Sequence, residues 1–153
     1  MDNTASRPAT PLHLWAVALV SLLWHAGGAL DYTMTQTRNM DYLQQAADGA
    51  GVPLQVILDY YTTFPVWADA AWAFGVWGAL AGSILLLLRS RFALYGFYLS
   101  LLGLIASTIH QLTADLPPEL NSPFTWAFTA AIVIVLVALI IYTRRMTERG
   151  VLR

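Results

Sequence analysis

Few side chains in this sequence offer chemistry, and most of them sit at the edges of apolar runs. His25 and His110 each fall inside such a run. Imidazole is the commonest metal ligand, so the pair could hold a haem or a metal between two facing helices. Asp31 and Asp69 flank apolar runs, with Arg38 shortly after Asp31. Intramembrane ionisable groups are costly and ask for a role. These five residues could form a polar vestibule for a small solute, or they could be structural. The structural reading leads: Asp69 pairs with Arg38, and each His bonds to Ser, Tyr or backbone. Two histidines alone are a weak ligand signal, and no cofactor or metal is expected. Cysteine is missing altogether, which excludes disulfides, thiolate metal sites and any Cys nucleophile. Ser107 and His110 share a helix, but no third group or oxyanion donor accompanies them. The sequence has no HExxH, P-loop or Gly-rich dinucleotide turn. An enzyme is not expected.

Composition dictates what must position these groups. The chain has 153 residues, 58% hydrophobic and 11% charged, against about 25% charged in soluble domains. A surface so poor in charge belongs mostly out of water. Net charge is -1, so no basic surface points to nucleic acid. Four apolar runs, 12–30, 66–88, 92–113 and 123–142, can cross roughly 30 Å of hydrocarbon at about 1.5 Å per helical residue. The β-branched stretch Ile132-Val133-Ile134-Val135 does not stop the fourth, because lipid leaves the backbone no other way to satisfy its polar groups. No Asp, Glu, Arg or Lys falls in the middle of a span, which disfavours ion-coupled transport. His25 falls in the outer half of the first span and His110 near the outer end of the third. Trp24, Trp72 and Trp77 either line a cavity or fill the bundle.

Arginine placement gives the orientation. Arg7 precedes the first span, Arg89 and Arg91 join the second to the third, and Arg144, Arg145, Arg149 and Arg153 follow the fourth. These segments share one side, expected to be the cytoplasm, together with both termini. The opposite segments, 31–65 and 114–122, hold Arg38 as their only cation against Asp31, Asp41, Asp48, Asp59, Asp115 and Glu119. Residues 1–29 also resemble a secretory signal, with Gly27 and Ala29 at the small positions. Only Arg7 charges its leader, offset by Asp2, and the apolar run is long and contains Trp24 and His25, so retention is expected.

The first outer loop, 31–65, holds two candidate short helices. One covers about 40–47. The other starts at Pro53, suited to a first helical position, and runs to about 62. Asp48-Gly49-Ala50-Gly51 separates them. The second turns Leu54, Ile57, Leu58 and Tyr61 to one side. With Tyr60, Phe64 and Trp67 it reads as an interfacial helix, either a surface connector or a lid. Ser122 before Pro123 reads as an N-cap followed by proline at N1.

Helices in lipid associate through close backbone contact. The second span carries Ala71, Gly75, Gly78, Ala79 and Gly82 at helical spacing. The third carries Gly96, Ser100, Gly103, Ser107 and His110 on one face, and the first carries Ser21, His25, Gly28 and Tyr32. Gly75, Gly78, Gly82, Gly96, Ser100, Gly103 and Ser107 are therefore expected to pack helices. Spans one to three should be tight and span four more exposed to lipid.

The stretch Leu23-Trp24-His25-Ala26-Gly27-Gly28-Ala29-Leu30-Asp31-Tyr32, continuing through Thr33-Met34-Thr35-Gln36-Thr37-Arg38-Asn39, carries a resemblance. Tyr42-Leu43, Phe64-Pro65-Val66-Trp67 and Trp72-Ala73-Phe74-Gly75-Val76-Trp77-Gly78 extend it, so that it covers about residues 12–142. It resembles a family of small four-helix bacterial inner-membrane proteins, often automatically labelled "sugar transporter". The resemblance implies the architecture and the bacterial inner membrane, and no particular activity. It also makes Asp31, Tyr32, Thr35, Arg38 and Asn39 candidates for a shared structural or binding feature just outside the first span. Where this chain has His25 the family pattern often has Asn, which argues against a histidine-held cofactor.

The expected fold is all-α: a four-helix transmembrane bundle with a short interfacial helix between the first two spans. The leading functional expectation is a non-catalytic membrane protein that packs against a larger complex or assembles with itself. The alternatives are a small-solute transporter or binding protein using Asp31, Tyr32, Arg38, Asn39, Asp69, His25 and His110, and a haem- or metal-binding redox protein through the two histidines.

Overall fold

The computed structural model describes residues 10–114, 116–118 and 120–153. Arg7, Asp115, Glu119 and the charged leader of the signal-like segment lie outside the described residues. Six helices follow in order: α1 (Leu12–Gln36), α2 (Met40–Ala50), α3 (Leu54–Thr62), α4 (Val66–Leu87), α5 (Ala93–Thr113) and α6 (Pro123–Glu148). Among them α1, α4, α5 and α6 are long and apolar enough to cross a membrane.

The two middle spans match their apolar runs closely, whereas α1 and α6 continue into polar sequence. In α1 the reason is local. Thr33 Oγ1 donates to Ala29 O at 2.7 Å and Thr37 Oγ1 to Thr33 O at 2.7 Å, so hydroxyls fold back onto the helix that hydropathy ends near Leu30. The helix stops at Arg38, which adopts φ 51. Asn39 N–H then reaches Met34 O at 2.9 Å and Arg38 N–H reaches Thr35 O at 3.0 Å, the paired bonds of a Schellman ending. Asn39 at once caps α2, its Oδ1 accepting from Tyr42 N–H at 3.0 Å. Arg89 ends α4 in the same way, with φ 58. Ser90 N–H donates to Leu85 O at 2.8 Å and Arg89 N–H to Leu86 O at 3.0 Å.

Between α2 and α3 the expected four-residue separator shrinks. α2 runs through Asp48-Gly49-Ala50, and Gly51 alone makes the turn with φ 69. Pro53 stands one place earlier than expected, as the N-cap of α3. The apolar face of α3 meets α2: Ile57 is buried with Leu43, Ala47 and Val52, and Leu54, Leu58 and Tyr61 pack around them. Ser122 caps α6 by accepting from Thr125 N–H at 3.2 Å, with Pro123 in the first turn.

The long helices pack in the order α1–α4–α5–α6. The α4–α5 seam is the most extensive and rests on absent side chains. A Cβ on Gly96 would lie 2.8 Å from Gly82 Cα, and one on Gly103 would lie 2.8 Å from Gly75 Cα. Ser100 Oγ donates across the seam to Gly75 O at 2.6 Å. One end of the bundle, where α1 starts and α6 ends, is sealed by Leu14, Leu86, Phe97, Leu136, Met146 and Leu152. There the C-terminal residues turn back after Gly150. Arg153 N–H donates to Arg89 O at 2.9 Å and Arg91 N–H to Arg153 O at 2.7 Å, clipping the tail to the α4–α5 turn. The opposite end carries the α2–α3 hairpin.

The seam between α1 and α6 is different. These two helices do not pack along their length. His13 Nδ1 and Tyr142 Oη lie 2.7 Å apart at the sealed end, and Trp24 meets Phe128 with ring centroids 6.1 Å apart. Between those contacts Leu14 and Ala18 of α1 share one buried core with Leu139 and Ile140 of α6, and the bundle opens at the level of Trp24 and Phe128.

Candidate functional site

The opening between α1 and α6 leads into a cleft of about 580 Å³ that reaches all four long helices. Its walls are mainly apolar: Leu23 and Trp24 from α1, Trp72 and Val76 from α4, Leu104 from α5, Phe128 and Ile132 from α6. Gly27 and Gly28 leave room on the α1 side, where no atom lies within 4 Å of either absent Cβ.

Four polar side chains interrupt this lining; Ser100 is committed to Gly75 O, which leaves three. The first is His25, which is buried. Ser83 Oγ donates to Ala79 O at 2.9 Å, and so has no second proton to give. Ser21 Oγ, 2.7 Å away, and His25 Nδ1, 2.8 Å away, share hydrogen bonds with the same Ser83 hydroxyl. This network engages Nδ1, whereas Nε2 has no hydrogen-bond partner among the described residues, on a residue that lines the cleft. The second position is Ser107, whose buried Oγ has no partner among the described residues. The third is Asp31, towards the hairpin end, which accepts from Tyr42 Oη–H at 2.7 Å. Asp31 thereby ties α1 to α2. Burial first, and then the Asp31 carboxylate, push the Tyr42 phenol up to about 12.

The sequence-predicted residues divide into separate places. His25 stands just past the midpoint of α1, on the Gln36 side, because the helix extends to Gln36. His110 packs edge-on against Phe64 and Trp67, at centroid distances of 4.9 and 5.3 Å. His25 contacts Ser83 and His110 contacts Trp67, and those two residues of α4 lie about 24 Å apart at 1.5 Å per residue. Two ligands of one metal stand only ~4 Å apart, so the shared haem or metal site is overturned by helix length alone. Asp69 does not pair with Arg38. It accepts from Gln36 Nε2–H at 2.9 Å, since Arg38 sits beyond the last turn of α1 while Gln36 still lies on it. Arg38 and Asp69 do line one pocket, of about 220 Å³, with Thr35, Gln36 and Tyr61. Burial pushes the Tyr61 phenol well above the ordinary tyrosine range.

Tyr32 sits edge-on to Trp72, with centroids 4.8 Å apart, and Asn39 is the α2 cap. Of the three tryptophans considered, Trp24 and Trp72 line the cleft, whereas Trp77 packs near Tyr32. Gly75, Gly78, Gly82, Gly96, Ser100 and Gly103 all lie in the α4–α5 seam. Ser107 continues their stripe but reaches the cleft instead. Sequence reading missed Ser83, the partner that orients His25. A serine directly before the run Ile84-Leu85-Leu86 was the available signal, since a hydroxyl in a lipid span must find a partner.

The geometry defines an all-α bundle of four helices able to cross a membrane, with a lateral apolar cleft and sparse polar groups. Compared with protein-family models, curated proteins and solved structures, the chain matches none.

Proposed function

We propose that this chain is a non-catalytic protein of a bacterial inner membrane that binds a lipid-like amphiphile in the cleft between α1 and α6. The cleft carries the reading: about 580 Å³ of apolar-walled space beside two helices that would face hydrocarbon. Small-molecule sites span roughly 300–1,000 Å³ and combine apolar walls with few placed polar groups. A sugar would need a hydrogen-bond partner for most of its hydroxyls. This lining offers His25, Ser107 and Asp31, and Ser100 is already committed to Gly75 O. A transporter of sugars is therefore disfavoured. Native mass spectrometry of gently extracted protein tests the reading. Each chain should carry one extra mass in the range of a single lipid-like molecule, and Gly28→Leu, which adds bulk in the cleft, should remove it. A bare chain would sink the proposal.

A second reading has its own observation. Gly27 and Gly28 are exposed on α1 with open space around them, and membrane helices use such positions for close backbone approach. An accessory or self-assembling role would place another helix there. The same spectrum would then show a partner mass or a second copy instead of a small ligand.

A further inference from the structure

We infer that the ligand of the cleft is a lipophilic cation, with its charge beside Asp31 and its apolar body against Trp24, Trp72 and Phe128. This rests on the reading of the cleft as a binding site and adds the sign of the charge. Asp31 is the one charged side chain in the lining. It accepts one hydrogen bond, from the Tyr42 hydroxyl, and has no cationic partner: among the described residues the ion pair is Arg144–Glu148, at the far end of the bundle. Arg38, the nearest cation along the chain, lines the separate smaller pocket.

A carboxylate at the mouth of a low-dielectric cavity attracts a cation more strongly than it would in water, and the walls focus that field. An anionic amphiphile would meet Asp31 with no compensating arginine. A cation without an apolar body would gain nothing from the walls and would stay hydrated. Only a molecule both apolar and positive uses the mouth and the walls together.

Two probes of nearly the same shape and opposite charge, tetraphenylphosphonium and tetraphenylborate, separate the contributions. Purified protein in non-ionic detergent is titrated with each, followed by fluorescence of the tryptophans, two of which line the cleft. The phosphonium is expected to bind at least tenfold tighter, a difference of about 1.4 kcal/mol. Asp31→Asn should remove that preference. Its amide oxygen still accepts from Tyr42, so the tie to α2 is kept. Asp31→Glu should restore most of the preference. Gly28→Leu should weaken both probes. Equal affinities, a preference for the borate, or a phosphonium preference that survives Asp31→Asn would each overturn the inference. If Gly28→Leu still weakened binding in those cases, the cleft reading would stand. Binding insensitive to Gly28→Leu, or no binding of either probe, would overturn both.

Discussion

Asp31 is flanked by a tyrosine that donates to it and a cavity that holds no counter-charge, and the first of these has a pH signature. The Tyr42 phenol is held up at about 12 by burial and by the Asp31 carboxylate, against about 10 for a free tyrosine. A folded-state value above the unfolded one adds stability that is fully present below about pH 10 and is lost as pH rises through about 12. Asp31→Asn should bring the Tyr42 titration part of the way down, read as phenolate absorbance in the near ultraviolet. An unchanged titration would mean that the carboxylate is not its partner. Tyr42→Phe removes the donor from a partly exposed pair, so a loss of about 1 kcal/mol is expected in thermal melts. Arg89 invites a contrasting substitution. It occupies a left-handed position that favours glycine, and its buried Nε has no partner among the described residues. Arg89→Gly removes both costs and is expected to raise stability by about 1 kcal/mol. A fall would show that the side chain holds something at that turn. None of these roles was visible in the sequence, because a left-handed arginine and a donor to Asp31 depend on the turn geometry that follows α1 and α4.

Among the helices, glycine has two distinct uses, and substitution separates them. Gly96→Ala and Gly103→Ala would push a methyl into the backbone of α4, since their Cβ atoms would meet Gly82 Cα and Gly75 Cα at 2.8 Å. Neither neighbour is a flexible side chain that can give way. Each change is expected to cost about 2 kcal/mol or more, by the overpacking range, and to lower the melting temperature in detergent. Gly27→Ala and Gly28→Ala meet nothing and should be neutral or stabilising, because alanine favours helix by about 1 kcal/mol. Destabilisation there, or loss of an oligomer, would reveal a helix packed on that face. The small-residue steps in the second and third spans announced the α4–α5 seam in the sequence. The same kind of step in the first span is ambiguous, because spacing shows which residues share a face but not what faces them. The ends of α1 and α6 were illegible for a related reason: hydropathy marks where lipid ends, while Thr33 and Thr37 keep the helix going in polar sequence.

Over the described residues, charge is biased by end, with Arg38 and Glu148 the exceptions. Arg89, Arg91, Arg144, Arg145, Arg149 and Arg153 lie at the sealed end, and Asp31, Asp41, Asp48, Asp59 and Asp69 at or near the hairpin end. By the positive-inside rule the sealed end is proposed to face the cytoplasm. The chain has no cysteine, so single-cysteine variants report cleanly. Gln45→Cys should react with a membrane-impermeant maleimide from outside intact spheroplasts, and Arg149→Cys only after lysis; the reverse pattern would invert the topology. The number of long helices and the charge asymmetry were readable from the apolar runs and the placement of arginine along the chain. The cleft was not, because a cavity is a failure of two helices to meet, and periodicity within one helix carries no record of it.

That unclosed seam also bears on the order in which the bundle forms. α6 packs on its chain neighbour α5, and α5 on its neighbour α4, so three helices zip together through contacts local in sequence. Only α1 must return across the α2–α3 hairpin to reach α4. Contacts between distant segments form more slowly than local ones. With only scattered contacts to α6, the arriving helix has one main partner to find, and its docking onto α4 becomes the event that creates the cavity.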